Sequence, residues 1–251
     1  MKEHVGCGCF PTGRHYPGIA HLLRVRARGI VADLDGDARW TELPLAVIDT
    51  ETTGRDALNG DRIVEIGIVV GLRGEVIKRV NWLVNPGIPI PDAAREVHGI
   101  SDDDVKDKPS FKEIAHEVAE ALRGSIPVAY NASFDRAFVG AELATSGLVL
   151  DAFPPCMRSD CEWVDPLVWA RELQKFEKGK KLGDVAARMG VALDNAHRAS
   201  DDAEAALRIM YAFGKDPRVP QTYAALVQEQ RRLSRGQEDD FRMWRQRNPR
   251  P

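Results

Sequence analysis

Residues 45–54 read LAVIDTETTG and place two carboxylates directly after a short apolar run. The apolar residues 45–48 are typical of a buried β-strand. Asp49 and Glu51 are two positions apart, so on a strand their side chains project from the same face. Because a buried charge is costly unless it is paired, such carboxylates indicate either a solvated strand end or oxygen ligands for a divalent cation.

Strand and helix patterns are interleaved after this segment. RIVEIGIVVGL and EVIKRVNWLVNP are β-branched, and the RG between them predicts a hairpin. SFKEIAHEVAEALRG has helical spacing, with Ser110 as N-cap and Glu113 completing a capping box. SDDAEAALRIMYAFG predicts a helix entered through Ser200 and ended by Gly214. This alternation predicts an α/β layered domain.

Charge divides the 251-residue chain into three parts. We interpret residues 1–43 as an N-terminal extension, residues 44–214 as the main domain and residues 215–251 as a basic, helical C-terminal extension. Residues 45–214 carry 20 basic and 28 acidic side chains, whereas residues 215–251 carry 9 basic and 5 acidic ones. An acidic centre suits a phosphate-binding protein only if bound cations reverse its local charge. The basic end is either a phosphate-contacting arm or a solvated helix face.

The composition is that of a soluble protein. The sequence has no apolar run long enough for a spanning helix and no adequate apolar stretch for a signal peptide, so we expect a cytoplasmic protein without membrane contact. Four cysteines do not make a disulfide scaffold. His4, Cys7, Cys9 and His15 cluster near the N-terminus, but their C-x-C spacing disfavours a zinc site.

Two later motifs carry further acids. In AYNASFDRAF a short strand precedes Asp135, which then falls in the first turn of a helix. In NAHRASDDAEAA, His197 precedes Asp202 by five residues, so a loop position for the histidine and a first-turn position for the acid could bring both to one site. The alternative is that these acids only stabilise helix N-termini, and we assign Asp201 to that role.

Together these motifs resemble the DEDDh 3′–5′ exonuclease superfamily, which includes the epsilon-type proofreading subunits of bacterial replicative polymerases. The resemblance covers roughly residues 44–214 and rests on DTETTG, VHGIS, YNASFD and HRASDD, in that order. A histidine five residues before the last aspartate, instead of a tyrosine four before it, is similar to the h branch of this superfamily.

The resemblance implies a fold, a metal site and a reaction. The fold is ribonuclease H-like, a mixed sheet of about five strands flanked by helices. Two Mg²⁺ or Mn²⁺ ions would bind among the four acids, His197 would act as general base, and nucleoside 5′-monophosphates would leave the 3′ end of DNA. The implied metal ligands are Asp49, Glu51, Asp135 and Asp202.

The resemblance also implies less specific substrate contacts. Thr52 could contact the terminal nucleotide, and His98 and Phe134 are similar to residues that line the 3′-terminal pocket. Core packing for Phe134, a helix C-terminal position for His98 and helix capping for Asn131 stay open as alternatives.

Two other functions compete with a DNA exonuclease acting in proofreading or repair. One is a 3′–5′ exoribonuclease, since 2′-hydroxyl contacts are not visible in any motif. The other is a non-catalytic module that binds nucleic acid or a polymerase. The expected partners are therefore a nucleic-acid 3′ end and, as a further candidate, a DNA polymerase subunit.

Overall fold

The computed structural model describes residues 29–193 and 197–248, and its centre is a four-stranded mixed sheet. The strand order is β3-β2-β1-β4, with both β2 contacts antiparallel and the β1–β4 contact parallel. The predicted hairpin is confirmed by β2 and β3. The strands are β1 (Leu45–Thr52), β2 (Ile63–Leu72), β3 (Glu75–Leu83) and β4 (Ile126–Val128).

The expected strand count of about five is one too high for the described residues. A parallel bridge between Val128 and Val164 occupies the place where a fifth strand would lie beside β4. It does not extend because Pro166, two residues later, lacks an amide donor and begins a helix. The mixed α/β sheet flanked by helices is otherwise as predicted.

Eight α-helices connect and cover the sheet in the described part of the chain. The predicted capping box of Ser110 and Glu113 is present at the start of α3. The helix predicted from Ser200 begins one residue earlier and ends before Gly214, as expected. The helices are α1 (Asp92–His98), α2 (Asp102–Val105), α3 (Phe111–Leu122), α4 (Ala132–Thr145), α5 (Pro166–Leu173), α6 (Leu182–Met189), α7 (Ala199–Phe213) and α8 (Tyr223–Arg247).

Helix α7 packs closely across β1 and β2. Its entry is possible because Gly67 of β2 has no side chain. A Cβ atom at that position would collide with the backbone of Ala199 and Ser200. This close approach places the first turn of α7 over the same strands that carry the first two acids.

One hydrophobic core continues across both predicted domain borders, at residues 43 and 215. Trp40 on one side and Tyr223 and Leu226 on the other are fully buried in the same hydrophobic cluster as the sheet. The three-part division stays a prediction. The His4, Cys7, Cys9 and His15 cluster lies outside the described residues.

Across residues 29–193 and 197–248, no helix is both long enough and apolar enough to cross a membrane.

Candidate active site

Four acids predicted to bind metal come together at one end of the sheet. Asp49 and Glu51 lie on β1, Asp135 on the first turn of α4, and Asp202 on the first turn of α7. All four line one cleft of about 450 Å³, together with His197. The sheet and two helix N-termini thus unite side chains that are up to 153 positions apart in the sequence. The other lining residues are Thr50, Tyr130, Phe134, Lys181, Leu182, Gly183, Asp184 and Leu193.

Asp135 is held in place from two directions. The Thr50 hydroxyl donates a hydrogen bond of 2.8 Å to its Oδ1 atom. Farther along α4, the buried Glu142 receives two hydrogen bonds from Arg62, of 2.7 and 2.8 Å, which fasten the helix to the start of β2. A bidentate arginine–carboxylate pair has a defined geometry, so it limits rotation of the helix that carries Asp135.

The N-terminus of α4 is capped from a different segment than the sequence predicts. Asn131 has a left-handed backbone with φ of 69°, and its side chain makes no capping bond. The Asp165 carboxylate instead accepts hydrogen bonds from the Asn131 and Ala132 amides, at 3.0 and 3.1 Å. It also caps α5 by accepting from the Leu167 amide at 2.8 Å. One partly buried carboxylate therefore orients two helices.

His197 lies on the entry to α7, as predicted. Its φ of 68° turns the chain so that its amide donates a 2.9 Å hydrogen bond to Asp202 Oδ2. Ligand-type atoms of Glu51, His197 and Asp202 all lie within 4.8 Å of one another. The imidazole is exposed at the cleft and can exchange protons with solvent or substrate.

Burial, together with repulsion between acids, makes this cleft unfavourable for ionised carboxylates without a cation. Burial, followed by the charges of Asp135 and Asp202, raises the pKa of Asp49 well above its ordinary value. Burial and the charge of Asp202 raise the pKa of Glu51 to about 8. Burial likewise raises the pKa of Asp135 and of Asp202.

This donor set fits hard divalent cations. Converging carboxylate oxygens are the ligands that Mg²⁺ and Mn²⁺ prefer, and bound positive charge would stabilise the ionised carboxylates against the burial and repulsion that raise their pKa values.

Beside these four acids, the structure adds a fifth that sequence reasoning missed. Glu65 on β2 is fully buried, directly opposite Glu51 in the strand register. Its Oε1 atom lies 2.8 Å from the Arg198 guanidinium and accepts a 2.8 Å hydrogen bond from Asn81. The only sequence signal was an acid within an otherwise apolar strand, which does not reveal its partners.

The assignment of Asp201 to helix stabilisation alone is incomplete. Asp201 pairs with Arg79 of β3, which also contacts Ser200 at 3.0 Å and Glu204 at 2.7 Å. These contacts fasten the outer side of α7 to the sheet. Asp201 therefore contributes to helix docking and does not line the cleft.

Of the four residues predicted to bind substrate, Phe134 lines the cleft, where it also packs against Phe138 at 4.8 Å between ring centroids. Thr52 is buried, and its hydroxyl donates to the Gly54 carbonyl oxygen at 2.6 Å. His98 is buried at the end of α1 and accepts from the Ile100 amide through Nδ1. Asn131 borders a separate cavity beside α8. Substrate contact by these residues stays a prediction.

Lys181 is a cleft residue that the sequence analysis missed. It is exposed, immediately precedes α6 and is the one lysine or arginine among the described cleft-lining residues. A positive charge at the rim of an acidic cleft is suited to contact a phosphate group. Its sequence context, KKLGD, is typical of a solvent-exposed helix start, so it does not identify Lys181 as a cleft residue.

A family model for exonucleases, RNase_T, matches residues 46–210. DNA polymerase III PolC-type from Streptococcus thermophilus is 33% identical over 226 residues, covering 86% of this chain and 15% of that protein. The 3′-5′ exonuclease DinG of Bacillus subtilis is 35% identical over 158 residues, covering 63% of this chain and 16% of DinG. This chain thus spans about 15% of the length of these relatives.

Solved structures with the same architecture include exonuclease X in complex with 5′ overhanging duplex DNA. That structure is 25% identical, has a TM-score of 0.55 and covers 73% of this chain and 99% of its own. A 3′-exonuclease structure concerned with histone mRNA stem-loop recognition has a TM-score of 0.59 at 18% identity, covering 72% of this chain and 84% of its own. The latter likeness concerns the fold alone.

Proposed function

Because the chain belongs to the exonuclease family, within the DEDDh-type 3′–5′ exonuclease superfamily, we propose that it hydrolyses DNA from the 3′ end in a metal-dependent reaction. The products are nucleoside 5′-monophosphates. The observation that carries the proposal is the convergence of Asp49, Glu51, Asp135 and Asp202 with His197 on one cleft. An acidic cleft of this kind accepts a phosphodiester only with cations bound.

Two divalent ions, Mg²⁺ or Mn²⁺, are the cofactors we propose, held by the four carboxylates. When bound, such ions supply activation of water and stabilisation of the leaving oxygen. The protein's part is to hold the ligands: Thr50 orients Asp135, and the His197 amide orients Asp202. Because these bonds exist before substrate arrives, little reorganisation is needed during the reaction.

His197 is the proposed general base. It is exposed at the cleft, so its imidazole can take a proton from the attacking water and release it to solvent. Phe134, at the same cleft, offers a ring face for the terminal base. Contacts through Thr52, His98 and Asn131 would require the bound strand to extend beyond the described cleft.

DNA is the proposed substrate because the PolC-type relative is named a DNA polymerase and the exonuclease X structure holds duplex DNA. We further propose a role in proofreading or repair, with the basic C-terminal helix as a candidate contact for a polymerase subunit. A cytoplasmic location is part of the same proposal.

The deciding experiment digests labelled single-stranded DNA, mismatched duplex DNA and RNA in parallel, with Mg²⁺, Mn²⁺ or EDTA. We expect 5′-monophosphates from the DNA 3′ end and no product with EDTA. Asp49→Ala and Asp202→Ala should abolish digestion, while exposed Asp107→Ala should not.

Other results of this experiment would contradict the proposal. Faster digestion of RNA would identify an exoribonuclease. No digestion of any polymer would indicate a non-catalytic binding module. Strong, EDTA-sensitive activity in Asp49→Ala would contradict the metal assignment.

A further inference from the structure

Glu65 is a fully buried acid next to the proposed metal ligands, yet it does not line their cleft. An ionised carboxylate in that position would be strongly unfavourable without partners. It has three: the Arg198 guanidinium and the Asn81 amide on Oε1, and the Ala199 backbone amide at 3.3 Å from Oε2. Two of these partners, Arg198 and Ala199, lie at the start of α7, and the third, Asn81, lies on β3.

Two of the residues that Glu65 holds directly follow His197 in the chain. Arg198 is the next residue in the chain and Ala199 begins α7. On its other side, the His197 amide is held by Asp202 Oδ2 at 2.9 Å. His197 has a left-handed backbone with φ of 68°. Three contacts hold this turn: the His197 amide bonds to Asp202, and the Arg198 side chain and the Ala199 amide bond to Glu65.

From these contacts we propose that Glu65 is a positioning residue for the reaction: through Arg198 and the Ala199 amide, it fixes the backbone that presents His197 to the four acids. The proposal rests on the proposed function, in which His197 is the base. Glu65 itself touches neither substrate nor metal. A general base must lie within hydrogen-bond reach of the proton it removes, so a small displacement of this turn lowers turnover more than binding.

The arginine also explains why a fifth acid is tolerated here. Arg198 is about half exposed, and its head group pairs with the buried Glu65 oxygen. Removing one member of such a pair leaves an unpaired group, whereas removing both does not. The kcat of Arg198→Gln should therefore fall further than the kcat of the double variant Glu65→Gln/Arg198→Gln.

A matched control exists on the same helix turn. Arg79 of β3 ties Ser200, Asp201 and Glu204 to the sheet, and among the described residues it makes no hydrogen bond or ion pair to residue 197 or 198. If Glu65 only docks α7, then Arg79→Gln should have the same effect as Glu65→Gln. If Glu65 positions His197, kcat should fall more in Glu65→Gln than in Arg79→Gln.

The test measures kcat and KM on a short single-stranded DNA for Glu65→Gln, Arg198→Gln, the double variant and Arg79→Gln. We expect kcat to fall about 10–100-fold in Glu65→Gln, the range found when a residue supporting an active-site side chain is lost, with KM within about twofold. Arg79→Gln should stay within about twofold in both.

Amide hydrogen exchange of the metal-free protein supplies a readout that needs no activity. Exchange at residues 197–199 should accelerate in Glu65→Gln and stay unchanged in Arg79→Gln. If the wild type digests nothing, the proposed function fails, but the exchange result still tests whether Glu65 holds this turn. Where Glu65→Gln does not fold, the half-exposed Arg198→Gln variant gives the same comparison.

Three results would overturn the inference. They are unchanged kcat in folded Glu65→Gln, an equal loss of kcat in Arg79→Gln, and unchanged exchange at residues 197–199.

Discussion

Single side chains at the cleft have separate tasks. His197 is exposed at the cleft, where we propose that it faces the substrate, while its own amide orients Asp202. Lys181 provides a positive charge at the rim, and the Thr50 hydroxyl donates its one hydrogen to Asp135. Because the proposed proton transfer and phosphate contact belong to different residues, substitutions should separate turnover from affinity.

Replacing His197 with alanine should lower kcat about 100- to 10,000-fold, the usual contribution of a positioned general base, because no other side chain replaces the imidazole. Affinity for single-stranded DNA, measured by fluorescence anisotropy with Ca²⁺ in place of Mg²⁺, should change little. His116→Ala, on the exposed side of α3, is the control. Equal losses of turnover and affinity would contradict a role as base.

Replacing Lys181 with glutamine should weaken binding of all DNA sequences uniformly. The slope of log affinity against log salt concentration should decrease by about 1, since one phosphate contact is lost. Lys178→Gln is the control, because Lys178 is exposed nearby but does not line the cleft. An unchanged salt slope in Lys181→Gln would exclude a phosphate contact.

Among the secondary elements, α8 is joined to the domain by a buried polar side chain. The Gln230 oxygen accepts from the Asp165 amide at 2.8 Å and from the Trp169 indole at 3.2 Å. Its nitrogen donates to the Trp163 carbonyl oxygen at 2.8 Å. Since Asp165 in turn caps α4 and α5, Gln230 links the C-terminal helix to the turn that precedes Asp135.

Gln230→Leu should lower stability by at least about 2 kcal/mol, because each buried polar group left without a partner costs about 1–3 kcal/mol. Thermal denaturation should show a Tm decrease of roughly 5 °C or more. Gln228→Leu is the control, since Gln228 is exposed on the same helix. A Tm for Gln230→Leu equal to that of the control would show that this link contributes nothing.

At the scale of the whole molecule, the clustered acids couple stability to pH and metal. In the folded protein the pKa of Asp49 is raised well above its ordinary value and that of Glu51 is raised to about 8, so both carboxyls hold their protons to higher pH. In the unfolded chain the same carboxyls release their protons near their ordinary pKa values. Because the folded state then binds more protons, metal-free stability should fall as pH rises from about 5 to about 8.

Saturating Mn²⁺ should remove most of this pH dependence, because bound carboxylates are deprotonated. The increase in Tm on adding Mn²⁺ should therefore be larger at pH 8 than at pH 5.5, measured by differential scanning fluorimetry. Asp49→Asn should reduce both the slope and the metal effect. A metal-induced shift of the same size at both pH values would contradict this account.

Local sequence patterns predicted the elements well. The β2–β3 hairpin, the capping box at Ser110 and the α7 boundaries follow from side-chain spacing and turn residues, which act over a few positions. The fifth strand expected from the sequence does not form in the described residues. Pairing beside β4 depends on a distant segment, which becomes helical at Pro166.

The convergence of the four acids and His197 on one cleft could be expected from sequence because their motifs lie at element ends, where side chains of different segments meet. The sequence by itself determined which residues can ligate metal or carry a proton, since that is a property of side-chain chemistry. The tertiary structure alone decided the supporting contacts of Thr50, Glu65 and Asp165. Each joins segments far apart in the chain, and a hydrogen bond depends on distances that no local pattern encodes.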